Sequence, residues 1–144
     1  VAKKKYAVLL LAVMLTVLVL NFSVTNATET LTCSPNGDGV VDKAAGDAYT
    51  VKITFKNTGQ SAGNWSINIT FEGDSWSQAG TAMNLTLKPG NSKTLTWSGN
   101  VPADAPVDSI ARLVVYYNDS FKALDWWIHV VSGAELSITS STVE

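Results

Sequence analysis

One cysteine, one histidine and little charge of either sign are what this 144-residue sequence offers to chemistry. A lone Cys33 cannot close an intramolecular disulfide, so the fold must be held by its core, and the cysteine is silent on redox compartment. Lipid attachment at Cys33 is disfavoured, because Leu31-Thr32 stand where lipoprotein signals place Gly, Ala or Ser; a partly buried thiol is expected instead. With His129 the sole histidine, no His pair can hold a catalytic zinc, and no Gly-x-Ser-x-Gly nucleophile elbow occurs. Folding could bring two carboxylates together, but no spacing singles out a pair. The expectation is a protein that is not an enzyme and carries no cofactor. Charged residues make up 15%, against about 25% in typical proteins; Ser, Thr, Asn and Gly replace them. The net charge is -2 and no basic cluster follows the first few residues. Nucleic acid, which needs a basic face, is excluded as a partner.

The first 27 residues decide the compartment. Lys3, Lys4 and Lys5 precede an apolar run from Tyr6 to Leu20, extended by Phe22 and Val24. Its length falls between a signal-peptide core and a membrane span of about 20 residues. The lysines stay cytoplasmic by the positive-inside rule, so the remainder is exported to the cell surface or beyond. Three fates are open. The run is a cleaved signal, with Thr25-Asn26-Ala27 as the cleavage site; or it anchors the chain in a membrane through residues 6–20; or it is a filament-core helix. In the last case Tyr6, Leu9, Leu10, Val13, Val17 and Leu20 are candidate contacts between copies. Cleavage would leave seven cationic residues against 12 acidic ones, a net of -5 and a soluble acidic surface.

From Thr28 onward the period is two. Tyr49, Val51, Ile53 and Phe55 share one face of a strand while Thr50, Lys52, Thr54 and Lys56 take the other. Trp65, Ile67, Ile69 and Phe71 alternate with Asn64, Ser66, Asn68 and Thr70, and Met83, Leu85 and Leu87 with Asn84, Thr86 and Lys88. Leu95 and Trp97 mark a further strand, Asn100 to Asp108 reads as a loop, and Asn118-Asp119-Ser120 joins strands at Ile110–Tyr117 and Phe121–Val131 in a hairpin. With Thr28–Cys33 and a last short strand at Leu136–Thr139, seven to nine strands are expected, and no helical period follows Val24. Polar outer faces exclude a membrane barrel. The predicted architecture is all-β: an immunoglobulin-like antiparallel β-sandwich over residues 28–144, preceded by one hydrophobic α-helix over residues 1–27.

Six N-glycosylation sequons occur, at Asn21, Asn26, Asn64, Asn68, Asn84 and Asn118. By the alternation, Asn64, Asn68 and Asn84 face outward, and Asn118 sits in a turn. The stretch Ser34 to Asp42 offers Asn36, Asp38 and Asp42 as oxygen ligands for calcium. However, Ser34 and Ala45 occupy the first and twelfth positions of the loop, so an Asn-Gly and Asp-Gly turn is the favoured reading. Five Trp residues raise carbohydrate stacking as a function. Trp65 and Trp97 share faces with aliphatic neighbours and belong to the core. In the last long strand Leu124, Trp126, Ile128 and Val130 point inward, which leaves Trp127 and His129 on the opposite face as candidates for a subunit contact.

Three pieces occur in order: Ile53-Thr54-Phe55-Lys56-Asn57-Thr58-Gly59, Leu87-Lys88-Pro89-Gly90-Asn91-Ser92-Lys93-Thr94-Leu95 and Val101-Pro102-Ala103-Asp104-Ala105. Together they resemble CARDB-type adhesion modules and related Ig-like domains of archaeal and bacterial surface proteins, across just over half of the chain. The resemblance implies the Ig-like fold and a surface binding or spacing role. The layout of an apolar helix followed by a sugar-bearing β-domain resembles archaeal type IV pilins and archaellins. In that family the helices bundle into a filament core and the β-domains coat it. The partners implied are copies of this chain, and glycans. Against that stands a secreted or membrane-anchored adhesion module, for which Lys3 to Lys5 are an ordinary signal n-region. A third reading is a carbohydrate-binding module using Trp127.

Overall fold

A computed structural model describes residues 31–137, 139 and 140. The expected N-terminal helix with its contact residues Tyr6 to Leu20, the sequons at Asn21 and Asn26, and Ile138 lie outside the described residues. Within them the chain is all-β, with nine strands: β1 Leu31–Pro35, β2 Gly39–Ala44, β3 Ala48–Asn57, β4 Gly63–Glu72, β5 Ser77–Ala79, β6 Met83–Leu87, β7 Ser92–Asn100, β8 Ile110–Tyr117 and β9 Ser120–Val131. They form two sheets. One has the order β1-β3-β7; the other runs β2-β9-β8-β4-β5, with β6 also paired to β4.

Alternation produces the core. Tyr49, Val51, Ile53 and Phe55 of β3, with Leu95 and Trp97 of β7, face Trp65, Ile67, Ile69 and Phe71 of β4, Leu113 and Val115 of β8, and Leu124, Trp126, Ile128 and Val130 of β9. Phe71 sits at the centre of an aromatic group, with ring centroids 4.9 Å from Tyr49, 5.4 Å from Trp126 and 6.4 Å from Trp76. Trp65 and Trp97 are buried as their neighbours required. Trp76 joins the core from the β4–β5 turn, where no periodicity announces it, and its Nε1 has no partner. Gly99 leaves room for Tyr49, since a Cβ there would come within 2.6 Å of the Tyr49 hydroxyl.

Asn57 is the one buried polar residue among those described, and it closes one end of the sandwich. Its Nδ2 donates to the carbonyls of Ser61 and Leu87 at 2.7 and 3.1 Å, and its Oδ1 accepts from Gly59 N at 2.9 Å. Its own N–H and C=O pair with Asn91 O and Gly90 N. Gly90 makes this contact at φ 77, a conformation costly for any residue with a Cβ. The β3–β4 and β6–β7 turns are thereby locked together.

The sandwich departs from expectation in three places. The expected antiparallel order holds except for β2, which pairs with β9 in parallel, Gly39↔Trp126 through Ala44↔Val131. Pro35 lacks an N–H and ends β1, and Asn36–Asp38 carry the chain across to the second sheet without reversing it. The turn expected at Asn36 to Asp38 does lie between two strands, β1 and β2, which belong to different sheets. β5 was also not foreseen; with three residues it is too short to show a period. Finally, Leu136 and Ser137 lie in no strand, so the last predicted strand is corrected: Leu136 is fully exposed and has no core to join.

Replacing Phe71 by Ala should cost about 3–5 kcal/mol of stability, read as a lower urea midpoint. Thr96→Val on the polar outer face of β7 should stay within about 0.5 kcal/mol. Equal effects from the two changes would mean that the inner faces do not carry the fold.

Candidate functional site

The outer face of the six-stranded sheet holds most of the side chains singled out from the sequence. Strand register arranges them in rows. Asp42 of β2, His129 of β9 and Ile110 of β8 form one row; Val40, Trp127, Arg112 and Glu72 form the next. Ala123, Val114 and Thr70 follow, then Phe121, Tyr116 and Asn68. Between the second and third rows one residue of β8, Leu113, faces three of β9, Leu124 to Trp126. This bulge keeps the inward and outward faces in phase on both sides of it.

Trp127 and His129 do lie side by side on the outer face, each half-buried, but they are engaged separately. The Arg112 guanidinium carbon lies 4.7 Å from the centre of the Trp127 ring. Arg112 is fixed there by Nε donating to Leu124 O at 2.7 Å and by a 2.9 Å pair with Asp125. One face of the indole is thus covered by a cation. His129 stands between two carboxylates, Nδ1 2.9 Å from Asp42 Oδ1 and Nε2 3.5 Å from Asp108 Oδ1. Its pKa is raised above the usual 6.5, chiefly by the hydrogen bond to Asp42, with smaller help from Asp108. The imidazolium can donate from both nitrogens, which ties β2 and the β7–β8 loop to β9.

This cluster has the residue types of a hydrolytic triad without its geometry. Ser109, next to Asp108, gives its hydroxyl to Pro106 O, while both imidazole nitrogens face carboxylates. Neither nitrogen is placed to take a serine proton. The three calcium candidates are also dispersed. Asn36 Oδ1 accepts from Lys52 N at 3.0 Å, Asp42 pairs with His129, and Asp38 lines a shallow groove with Cys33 and Lys122. Cys33 is half-buried as expected; burial pushes its thiol pKa up, against a smaller pull from Lys122.

The four described sequons all reach the surface, in different settings. Asn64 and Asn84 are exposed, and their sequons run antiparallel in register: Asn64 faces Thr86, and Ser66 faces Asn84. The Thr86 hydroxyl donates to Asn64 Oδ1. Asn118 takes φ 50 at the β8–β9 turn and extends β8 beside β4, its Oδ1 accepting from Ser66 N at 3.0 Å. Asn68 is half-buried; its Oδ1 accepts from Ile69 N, and Tyr116 is its cross-strand neighbour. The sequence did not single out Tyr116 and Phe121. Their ring centroids are 6.0 Å apart, and Phe121 is 68% exposed. Phe121 lies on the outward parity of β9, which was the available signal.

No family model and no curated protein matches the chain. Among solved structures it is similar to a β-glucosidase from Listeria innocua in complex with glucose, at 13% identity and TM-score 0.51. That match covers 72% of this chain but 17% of the glucosidase. A family 123 glycoside hydrolase from Clostridium perfringens matches at 10% identity and TM-score 0.47, covering 71% of this chain and 27% of that one. Spo0M, a sporulation control protein from Bacillus subtilis, matches at 13% and 0.45, with coverages of 73% and 50%. The likeness to the glucosidase is one of fold alone.

The His129 pair sets a pH dependence. Because the folded pKa lies above the unfolded one, the contribution to stability is complete below about pH 6.5 and lost as pH rises through the folded value. The urea midpoint should therefore fall between about pH 6 and pH 8 in the parent chain and stay flat there in His129→Gln. An unchanged slope in the variant would place the titration elsewhere.

Proposed function

We propose that this chain is a structural subunit of an extracellular cell-surface filament, with the N-terminal apolar segment in the core and a glycosylated Ig-like domain outside. The observation that carries the reading is the pairing of the apolar run Tyr6 to Leu20 with a β-domain whose four sequon asparagines all reach the surface. The strand order supports an Ig-like description. In Ig terms β1, β3 and β7 correspond to strands A, B and E, while β4, β8 and β9 correspond to C, F and G. On this reading the domain is not an enzyme, and its partners are copies of itself.

Charge is unevenly distributed along the sandwich, with Lys43 at the acidic end and Asp119 at the basic end as the exceptions. Lys56, Lys88 and Lys93 lie near the end where β1 begins, because Leu31 pairs with Asn57 and the Asn57 backbone bonds to Gly90 and Asn91. Asp47, Asp104 and Asp108 gather at the other end, around Val101. Such polarity suits copies stacked in one orientation.

The secreted or membrane-anchored adhesion module is the second reading. Lys3 to Lys5 favour it, since three ammonium groups are costly in or near a packed apolar core. The carbohydrate module built on Trp127 is less supported, because Arg112 already covers that ring.

Mechanical shearing of intact cells should release filaments that contain this chain, and deleting its gene should remove them from electron micrographs. Recovery of the chain only from the medium or the detergent-soluble membrane would reject the filament in favour of the module.

A further inference from the structure

The aromatic pair on the outer sheet has no use in the reading above. In its row, Phe121, Tyr116 and Asn68 stand side by side on β9, β8 and β4. Tyr116 leans along the sheet and donates its hydroxyl to Glu72, two rows away. Its ring then passes over the row of Val114 and Thr70, which accounts for Val114 being only 5% exposed on an outward position. That tilt carries the Tyr116 hydroxyl out of the row that holds Asn68 and Phe121. Neighbouring strands lie about 4.8 Å apart, so the span from Asn68 to Phe121 is roughly 10 Å, within reach of the first two sugars of a chain attached to Asn68.

Among the sequons on this sheet, Asn68 alone has an exposed aromatic ring as its cross-strand partner. Asn64 faces Thr86, Asn84 faces Ser66, and Asn118 is held against the β4 backbone. A pyranose presents C–H groups on its faces and hydroxyls at its rim. Tyr116 and Phe121 supply apolar ring surface for the first, and Glu72 and Thr70 supply polar atoms for the second. We infer that the N-linked glycan of Asn68 folds back across the sheet and stacks on Tyr116 and Phe121, so that this platform binds the chain's own sugar. The inference rests on the domain being glycosylated, and it assigns the occupant of the exposed patch.

The test uses full-length protein recovered from the native cell surface, as the parent, Asn68→Gln and Phe121→Ala. Phe121 is exposed enough that its loss should not disturb folding. Peptide mass spectrometry should find Asn68 occupied. Sugar protons of that glycan should resonate upfield under ring currents in the parent and lose the shift in Phe121→Ala. The rise in melting temperature that the Asn68 glycan confers should fall to about half or less in Phe121→Ala, while the increment from an Asn84 glycan stays unchanged. Insensitivity of the Asn68 glycan to Phe121→Ala would overturn the inference, as would occupancy of Asn84 with Asn68 bare; both leave a glycosylated coat standing. A change in self-association with Phe121→Ala, and no change at the sugar, would overturn it by giving the platform to a second copy. Absence of sugar from every sequon would end both the inference and the coat.

Discussion

No disulfide within the chain can link the two sheets, so the domain depends on apolar side chains meeting across the space between them. A single cysteine removes the disulfide that many exported sandwiches use. In its place Phe71 meets Tyr49 from the opposite sheet, with Trp76 and Trp126 at its sides. Aromatic residues bury large areas and pack edge-to-face with some orientation preference, which supplies both adhesion and registry between sheets. The chain reinforces this at its ends by hydrogen bonding. Asn57 ties the β3–β4 turn to the β6–β7 turn, and Val101 exchanges backbone bonds with the β2–β3 turn. With inner faces and ends committed, the outer face adds only local ties, such as His129 with Asp42 and Asp108.

That division explains which parts of the molecule were legible in the sequence. β3, β4, β8 and β9 each bury one side against the other sheet and leave the other side wet, so their period of two is written plainly. β2 carries Gly-Val-Val-Asp-Lys-Ala, an edge segment with little alternation, and a parallel partner 87 residues downstream cannot be read from local pattern. Trp76 enters the core from a turn, outside any periodicity. The three resembling pieces were legible as turns, but not as joints. Asn57, Gly90 and Val101 are the residues whose backbone bonds hold the ends shut.

The candidate site was legible by residue and not by relation. Outward parity put Trp127, His129, Asn64, Asn68 and Asn84 on outer faces, where Asn64 and Asn84 are exposed and the other three half-buried. What they touch is set by register: His129 meets Asp42 and Asp108, Trp127 lies under Arg112, and Asn68 stands beside Tyr116. None of these pairs is close in sequence. The half-burial of Asn68, expected to be plainly outward, has the same origin: Gly80, on the far side of β4 from Tyr116, packs close to its side chain.

The account stands or falls on an exported chain that keeps its apolar segment and carries sugar. Intact-mass and N-terminal peptide analysis of protein from the native cell surface reads both properties at once. The account predicts a chain that retains the segment Tyr6 to Leu20, with glycan mass on one or more of Asn64, Asn68, Asn84 and Asn118. A chain beginning near Thr28, with its apolar segment removed, would contradict it and leave a secreted module.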